Sequence, residues 1–150
     1  MVHYMDAAPR YRAPWHLWVV GGLNTLWCGF GSFDFTMTAT QGEAWLRRAG
    51  MSEAQIALFN AMPVWATVGW AAGVFAGLIG SLLLLARSRL ATPVLALSLL
   101  GGIVSQMPSF ISDEARAALG PQVFMGAFII IWAALMTWYA WAQAKRGVLR

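Results

Sequence analysis

The chain has 150 residues, 59% of them hydrophobic and 11% charged, with a formal net charge of +4 and a mean hydropathy of +0.61. A charged share below half that of soluble globular domains excludes an ordinary soluble enzyme and indicates a single-domain polytopic membrane protein spanning 1–150. The ten Lys and Arg residues are scattered at the ends of apolar runs rather than gathered into a patch. They therefore set topology and give no nucleic-acid surface.

Residues 1–13 form a polar tail containing His3, Arg10 and Arg12, and Pro14 takes the first-turn position that proline favours. The first long helix is predicted over 14–37. Its apolar run exceeds the ~7–15 residues of a signal-peptide core and carries Trp15, Trp18, Asn24 and Trp27, so it reads as a retained span. In the loop that follows, 38–62, Ser52-Glu53-Ala54-Gln55 has capping-box spacing ahead of Ile56, Leu58 and Phe59. This predicts one short interfacial helix ending before Pro63.

The second long helix, 63–86, contains no charge, and Gly69, Gly73, Gly77 and Ser81 recur every fourth residue along one side. In water each such position would cost about 0.5–1 kcal/mol against alanine, whereas in lipid it allows a second helix to approach closely. Two partners are open for this ridge. Either the first helix packs on it through its own small-residue stripe, Gly21, Thr25 and Gly29, or the ridge faces outward and dimerises. The turn Arg87-Ser88-Arg89 is so short that the third helix, 90–110, must return antiparallel beside the second. A polar loop at 112–116 and Gly120-Pro121 lead into the fourth helix, 121–144. The expected architecture is all-α, four transmembrane helices in an up-down bundle, each close to the ~20 residues that cross the hydrocarbon layer.

Seven of the ten basic residues fall in the tail, the 87–89 turn and the C-terminal end, which predicts that both termini are cytoplasmic. Tryptophan placement agrees. Trp15, Trp18, Trp138 and Trp141 with Tyr139 form one belt, and Trp45 and Trp65 another, which Trp70 can join.

Polar groups inside a span are costly and are the natural candidates for function. Asn24, Cys28 and Ser32 share one face of the first helix, and Ser98, Gly102 and Gln106, with Ser105 adjacent, share one face of the third. If these stripes meet, Asn24, Trp27, Ser32, Asp34, Ser105 and Gln106 line a polar cleft opening outward, suited to a small polyol because aromatic faces stack on sugars. The alternative is that these groups only hydrogen-bond between helices, at about 0.6–2 kcal/mol each. Asp34, between Phe33 and Phe35, either serves proton-coupled transport or sugar-hydroxyl recognition, or sits at the outer headgroup level, hydrated or capping a chain reversal through Thr36 or Thr38. Cys28 is the single cysteine, which excludes an intrachain disulfide. His3 and His16 are not placed as metal or haem ligands, and no HExxH, CxxC, P-loop or GxSxG pattern occurs. No metal, cofactor or enzymatic activity is expected.

The segment Phe30-Gly31-Ser32-Phe33-Asp34-Phe35-Thr36-Met37-Thr38, with Pro14-Trp15-His16, Asn24, Trp27 and the run 81–89, resembles a family of small four-helix bacterial membrane proteins. Its members are labelled hypothetical membrane proteins or sugar transporters. The resemblance implies a transport role and carries over no binding residue. Nine arginines to one lysine fit a GC-rich bacterial genome. The expected function is a non-enzymatic inner-membrane accessory or assembly subunit, the alternative an oligomeric small-solute carrier with Asp34 in its path. The expected partners are the lipid bilayer and either further copies of the chain or a larger membrane complex.

Overall fold

The computed structural model describes residues 11–150; the expectations for His3 and Arg10 lie outside them. The described residues form helices and no strand: α1 (Trp15–Gln41), α2 (Glu43–Arg48), α3 (Glu53–Asn60), α4 (Val64–Leu85), α5 (Ala91–Ile111), α6 (Asp113–Leu119), a 3₁₀ turn (Gly120–Gln122) and α7 (Val123–Lys145). Among them, Val64–Leu85, Ala91–Ile111 and the stretch Asp113–Lys145, which ends in α7, are long and apolar enough to cross a membrane.

α1 is not one of these three, although it is the longest single helix at 27 residues. Asn24, Ser32, Asp34 and a run of threonines dilute its apolar character. Those threonines also explain why it outruns its predicted end at Met37. The hydroxyls of Thr36, Thr38 and Thr40 each bond back to the carbonyl four residues earlier, at 2.8 Å, so they are satisfied without breaking the helix. The chain reverses only at Gly42, whose φ of +56° suits glycine and whose N–H caps the Thr38 carbonyl. Asp34 therefore lies inside the helix and caps no reversal.

The loop after α1 folds into two short helices rather than one. The expected capping box is formed: Ser52 Oγ accepts from Gln55 N at 3.3 Å, and Gln55 Oε1 accepts from Ser52 N at 3.0 Å. The loop predicted at 112–116 is helical too, since Ser112 Oγ accepts from Ala115 N and starts α6.

α4 and α5 form the centre, with α1 packed on α4 and α7 packed on α5. The small-residue ridge of α4 is shared: Gly69 and Gly73 face α5, while its other half reaches α1. A Cβ on Gly69 would come within 3.0 Å of the Gly101 carbonyl, one on Gly73 within 3.2 Å of Gly102 N, and one on Gly101 within 2.5 Å of Gly73 N. The helices approach so closely because both lack side chains at the crossing. Gly21 instead meets Leu85, and Gly29 faces Leu78, so the stripe on α1 touches ordinary side chains of α4. Thr25 is satisfied within α1, donating to the Gly21 carbonyl at 2.7 Å. Only Gly77 and Ser81, farther along the ridge, turn toward α1: Cys28 Sγ lies against Gly77, and Asn24 reaches Ser81.

At the end of the bundle where α4 turns into α5, Leu17, Leu84, Ala91, Leu95, Ala140, Val148 and Leu149 make a buried apolar core. The chain after α7 folds into it. Arg150 N donates to the Arg87 carbonyl at 2.6 Å and Arg89 N to the Arg150 carbonyl at 2.9 Å. Arg87 adopts a left-handed φ of +60°, held there by its guanidinium bonds to the carbonyls of Val148 (3.0 Å) and Tyr11 (2.8 Å). His16 Nδ1 hydrogen-bonds the Tyr139 hydroxyl at this end and ties α1 to α7. On the outer side of α1, Val19, Leu23, Leu26, Phe30 and Phe33 are exposed at spacings of three and four, and on α4 Val68, Phe75, Ile79 and Leu82 are exposed at spacings of seven, four and three.

Candidate functional site

Between α1 and α7, on a floor made by α4 and α5, lies a cavity of about 410 Å³. From α1 it is lined by Asn24, Trp27, Cys28, Phe30, Gly31 and Asp34, from α4 by Trp70, Gly73 and Val74. α5 adds Leu95, Ser98, Gly102, Ser105 and Gln106, and α7 adds Met125, Ile129, Trp132, Ala133 and Met136. Five of the six residues expected in a polar cleft, Asn24, Trp27, Asp34, Ser105 and Gln106, thus face one space. Ser32 does not line it; it is buried and its hydroxyl donates to the Cys28 carbonyl at 2.8 Å.

The cavity exists because α1 and α7 are separated by the width of the central pair and meet through side chains. Asn24 carries the main polar link. Its Nδ2 donates to Ser81 Oγ at 2.7 Å, and its Oδ1 accepts from Trp132 Nε1 at 2.8 Å and from Cys28 Sγ at 3.7 Å. Ser81 passes the chain on to the Gly77 carbonyl at 2.6 Å. Asn24 is 2% exposed, so both ends of its amide are satisfied by protein, as burial demands. Nearby, the Trp27 and Phe128 rings meet edge to face at 5.7 Å.

The remaining polar groups are committed unevenly. Ser98 donates to the Gly73 carbonyl at 2.6 Å and Ser105 to the Gly102 carbonyl at 2.9 Å, leaving their oxygens as acceptors toward the cavity. Gln106 packs against Gly126, its Oε1 filling the space where a Cβ would stand, and has no hydrogen-bond partner among the described residues. Asp34 is half-buried. Its Oδ1 accepts from Trp45 Nε1 at 2.7 Å, which ties α2 down onto α1, and Phe33 meets the Trp45 ring at 5.6 Å. Asp34 is the only charged residue among the lining side chains.

A second space of about 200 Å³ lies under α2 and α3, bounded by Thr38, Glu43, Asn60, Thr67 and Trp70 among others. Trp70 is the shared wall of the two, wedged edge-on against Phe35 at 4.8 Å and Phe59 at 5.5 Å. The cap above is held by Arg47, which pairs with Glu43 and Glu53, and by Asn60 donating to Glu43 at 2.7 Å. The hydrogen bond and positive charge of Arg47 hold the Glu53 carboxyl below its ordinary range.

Comparison with family models, with curated proteins and with solved structures finds no match to this chain. Among the described residues no three His, Cys, Asp or Glu side chains gather to hold a metal ion. The arrangement offers a shaped, mostly apolar space with a few fixed hydrogen-bonding groups, the general form of a small-molecule site.

Trp132 and Trp70 were not foreseen as lining residues. Trp132 lies ten residues into α7, far from either aromatic belt, and an indole N–H at that depth needs a partner. That was the available signal, and Asn24 is the partner.

Proposed function

We propose that the chain is an integral protein of a bacterial inner membrane with four spanning helices, α1 being the fourth, and that it takes up a small solute in the cavity between α1 and α7. At 1.5 Å per residue α1 is about 40 Å long, and the exposed apolar stripe from Val19 to Phe33 gives it a lipid-facing side. The short helices α2 and α3 then lie at the outer interface, and both termini are cytoplasmic, which the distribution of Lys and Arg supports.

One observation carries the solute reading: side chains from four helices far apart in sequence converge on one space of about 410 Å³ whose polar groups are fixed. The reading needs no covalent chemistry, so the protein is taken as a binder or carrier rather than an enzyme. Acting as a carrier would require more than one copy, because four helices enclose too little for alternating access.

A second observation favours a stationary role. Leu95, which lines the cavity, also belongs to the packed core with Leu17, Leu84 and Leu149, so the space is closed toward the α4–α5 turn. In that reading the protein is an accessory or assembly subunit that holds its ligand inside a larger complex.

Uptake of labelled solutes into proteoliposomes, with and without a pH gradient, separates the readings when paired with equilibrium binding. Saturable uptake lost in Asp34→Asn supports the carrier. Binding without uptake supports the accessory subunit. Neither binding nor uptake by any solute would remove the cavity as the functional site.

A further inference from the structure

We propose that the solute is a small apolar organic cation of the quaternary ammonium kind, an inference that rests on the cavity being a solute site. The first ground is charge. Asp34 is the one charged group among the described lining residues, and no described Lys, Arg or His joins it there. The two arginines of α2, the helix that Trp45 ties to Asp34, are engaged elsewhere: Arg47 pairs with Glu43 and Glu53, and Arg48 donates to Gln41 at 3.1 Å. An anionic solute would meet a carboxylate in an apolar space with nothing to balance it. A cation supplies the missing charge.

The second ground is the walls. Trp27, Trp70 and Trp132 contribute aromatic surface, and aromatic faces attract cations electrostatically. The third is the polarity of the fixed groups. Ser98 and Ser105 spend their protons on carbonyls and so turn lone pairs toward the space, whereas Asn24 accepts from Trp132 and Cys28 and gives one amide N–H to Ser81. Among the described lining side chains, uncommitted N–H groups are left only on Gln106 and, singly, on Asn24. A polyol needs donors as well as acceptors around it, whereas an alkylammonium needs only acceptors, π faces and a carboxylate.

The test uses the full chain in lipid nanodiscs, titrated with benzyltrimethylammonium, with its uncharged isostere neopentylbenzene, and with glucose, each corrected against empty nanodiscs. The cation should bind about tenfold more tightly than the isostere, the preference that one cation–aromatic contact and one half-buried ion pair together support. Asp34→Asn should bring the cation to about the isostere's affinity and leave the isostere unchanged, since the amide oxygen still accepts from Trp45 Nε1. If that variant fails to fold, Trp27→Leu serves in its place and should weaken the cation more than the isostere.

Equal affinities for the two isosteres in the wild-type protein, cation binding indifferent to Asp34→Asn, or glucose binding alone would overturn the cation proposal while leaving the solute site standing. No binding by any of the three would remove both.

Discussion

The contact between α4 and α5 can be tested at a single pair of neighbouring glycines. A Cβ on Gly101 would stand 2.5 Å from Gly73 N and 2.6 Å from the Gly69 carbonyl oxygen, both backbone atoms that no rotamer change can move. On Gly102 the nearest atom is Ile129 Cγ2 at 4.0 Å, an ordinary contact. For Gly101→Ala the helices must part from 2.5 Å to the 3.4 Å of normal contact, an opening of about 0.9 Å. A gap of that size forfeits about a quarter to half of each dispersion contact across the crossing, and overpacking of this kind costs typically 1–3 kcal/mol. Rigid backbone on the receiving side puts Gly101→Ala at about 2–3 kcal/mol. Gly102→Ala should change stability by no more than about 0.5 kcal/mol, with the helix preference of alanine acting in its favour. Equilibrium unfolding of the two variants in mixed micelles, followed by circular dichroism, measures the difference. Equal losses in the two variants would refute the close crossing, since composition and depth in the membrane are the same for both.

Replacing Asn24 by leucine leaves Trp132 N–H and Ser81 without their partner and should destabilise the protein by about 1–2 kcal/mol. Added to Trp132→Phe, which removes the donor, Asn24→Leu should cost measurably less than it does alone, a coupling that a double-mutant cycle in the same micelles reads. Ser52→Ala removes the acceptor for Gln55 N and should cost about 0.5–2 kcal/mol locally, seen as faster amide hydrogen exchange over Glu53–Asn60 with α4 unchanged. The Arg47–Glu53 pair should act with a definite sign in pH. Glu53 titrates lower in the folded protein than in the unfolded chain, so its contribution is present at neutral pH and is lost as pH falls below the ordinary carboxylate value of 4.5. Glu53→Gln should therefore lower the unfolding midpoint slightly at neutral pH, meet the wild type at the acid end and so flatten the limb between them.

How much of this was legible beforehand depends on whether a residue's surroundings are set by its own helix or by another. The four long helices were readable because charge-free runs bounded by Pro14, Pro63, the 87–89 turn and Pro121 leave the backbone no other way to satisfy its hydrogen bonds in an apolar setting. The two polar stripes were readable for the same local reason, as four-residue spacing puts Asn24 and Cys28, or Ser98, Gly102 and Gln106, on one face whatever lies opposite. Ser32 belongs to the same stripe yet misses the cavity, because a hydroxyl on a helix can satisfy itself on the preceding turn and then needs nothing across the bundle. The end of α1 was misplaced by the same chemistry: Thr36 and Thr38 read as part of a chain reversal, but they and Thr40 each find an acceptor within the helix.

The partner of the α4 ridge was half legible: α1, which was foreseen, meets Gly77 and Ser81, whereas α5, which was not, meets Gly69 and Gly73. Spacing could not choose between two stripes of small residues, Gly21, Thr25 and Gly29 on α1 or Gly101 and Gly102 on α5, since each satisfies the requirement for close approach. Connectivity could have chosen. The turn from Ala86 to Leu90 forces α5 to run back beside α4, so α5 takes Gly69 and Gly73 of the ridge, Gly77 touches both neighbours, and Ser81 is left to α1. With α5 in that place, α1 is left to pack on α4 with Gly21 against Leu85, and α7 packs on α5 from the other side. Two flanking helices on a flat central pair cannot close fully over it. The cavity is therefore a consequence of the glycine crossing, and the long side chains Trp27, Phe128 and Trp132 bridge the gap that the crossing leaves.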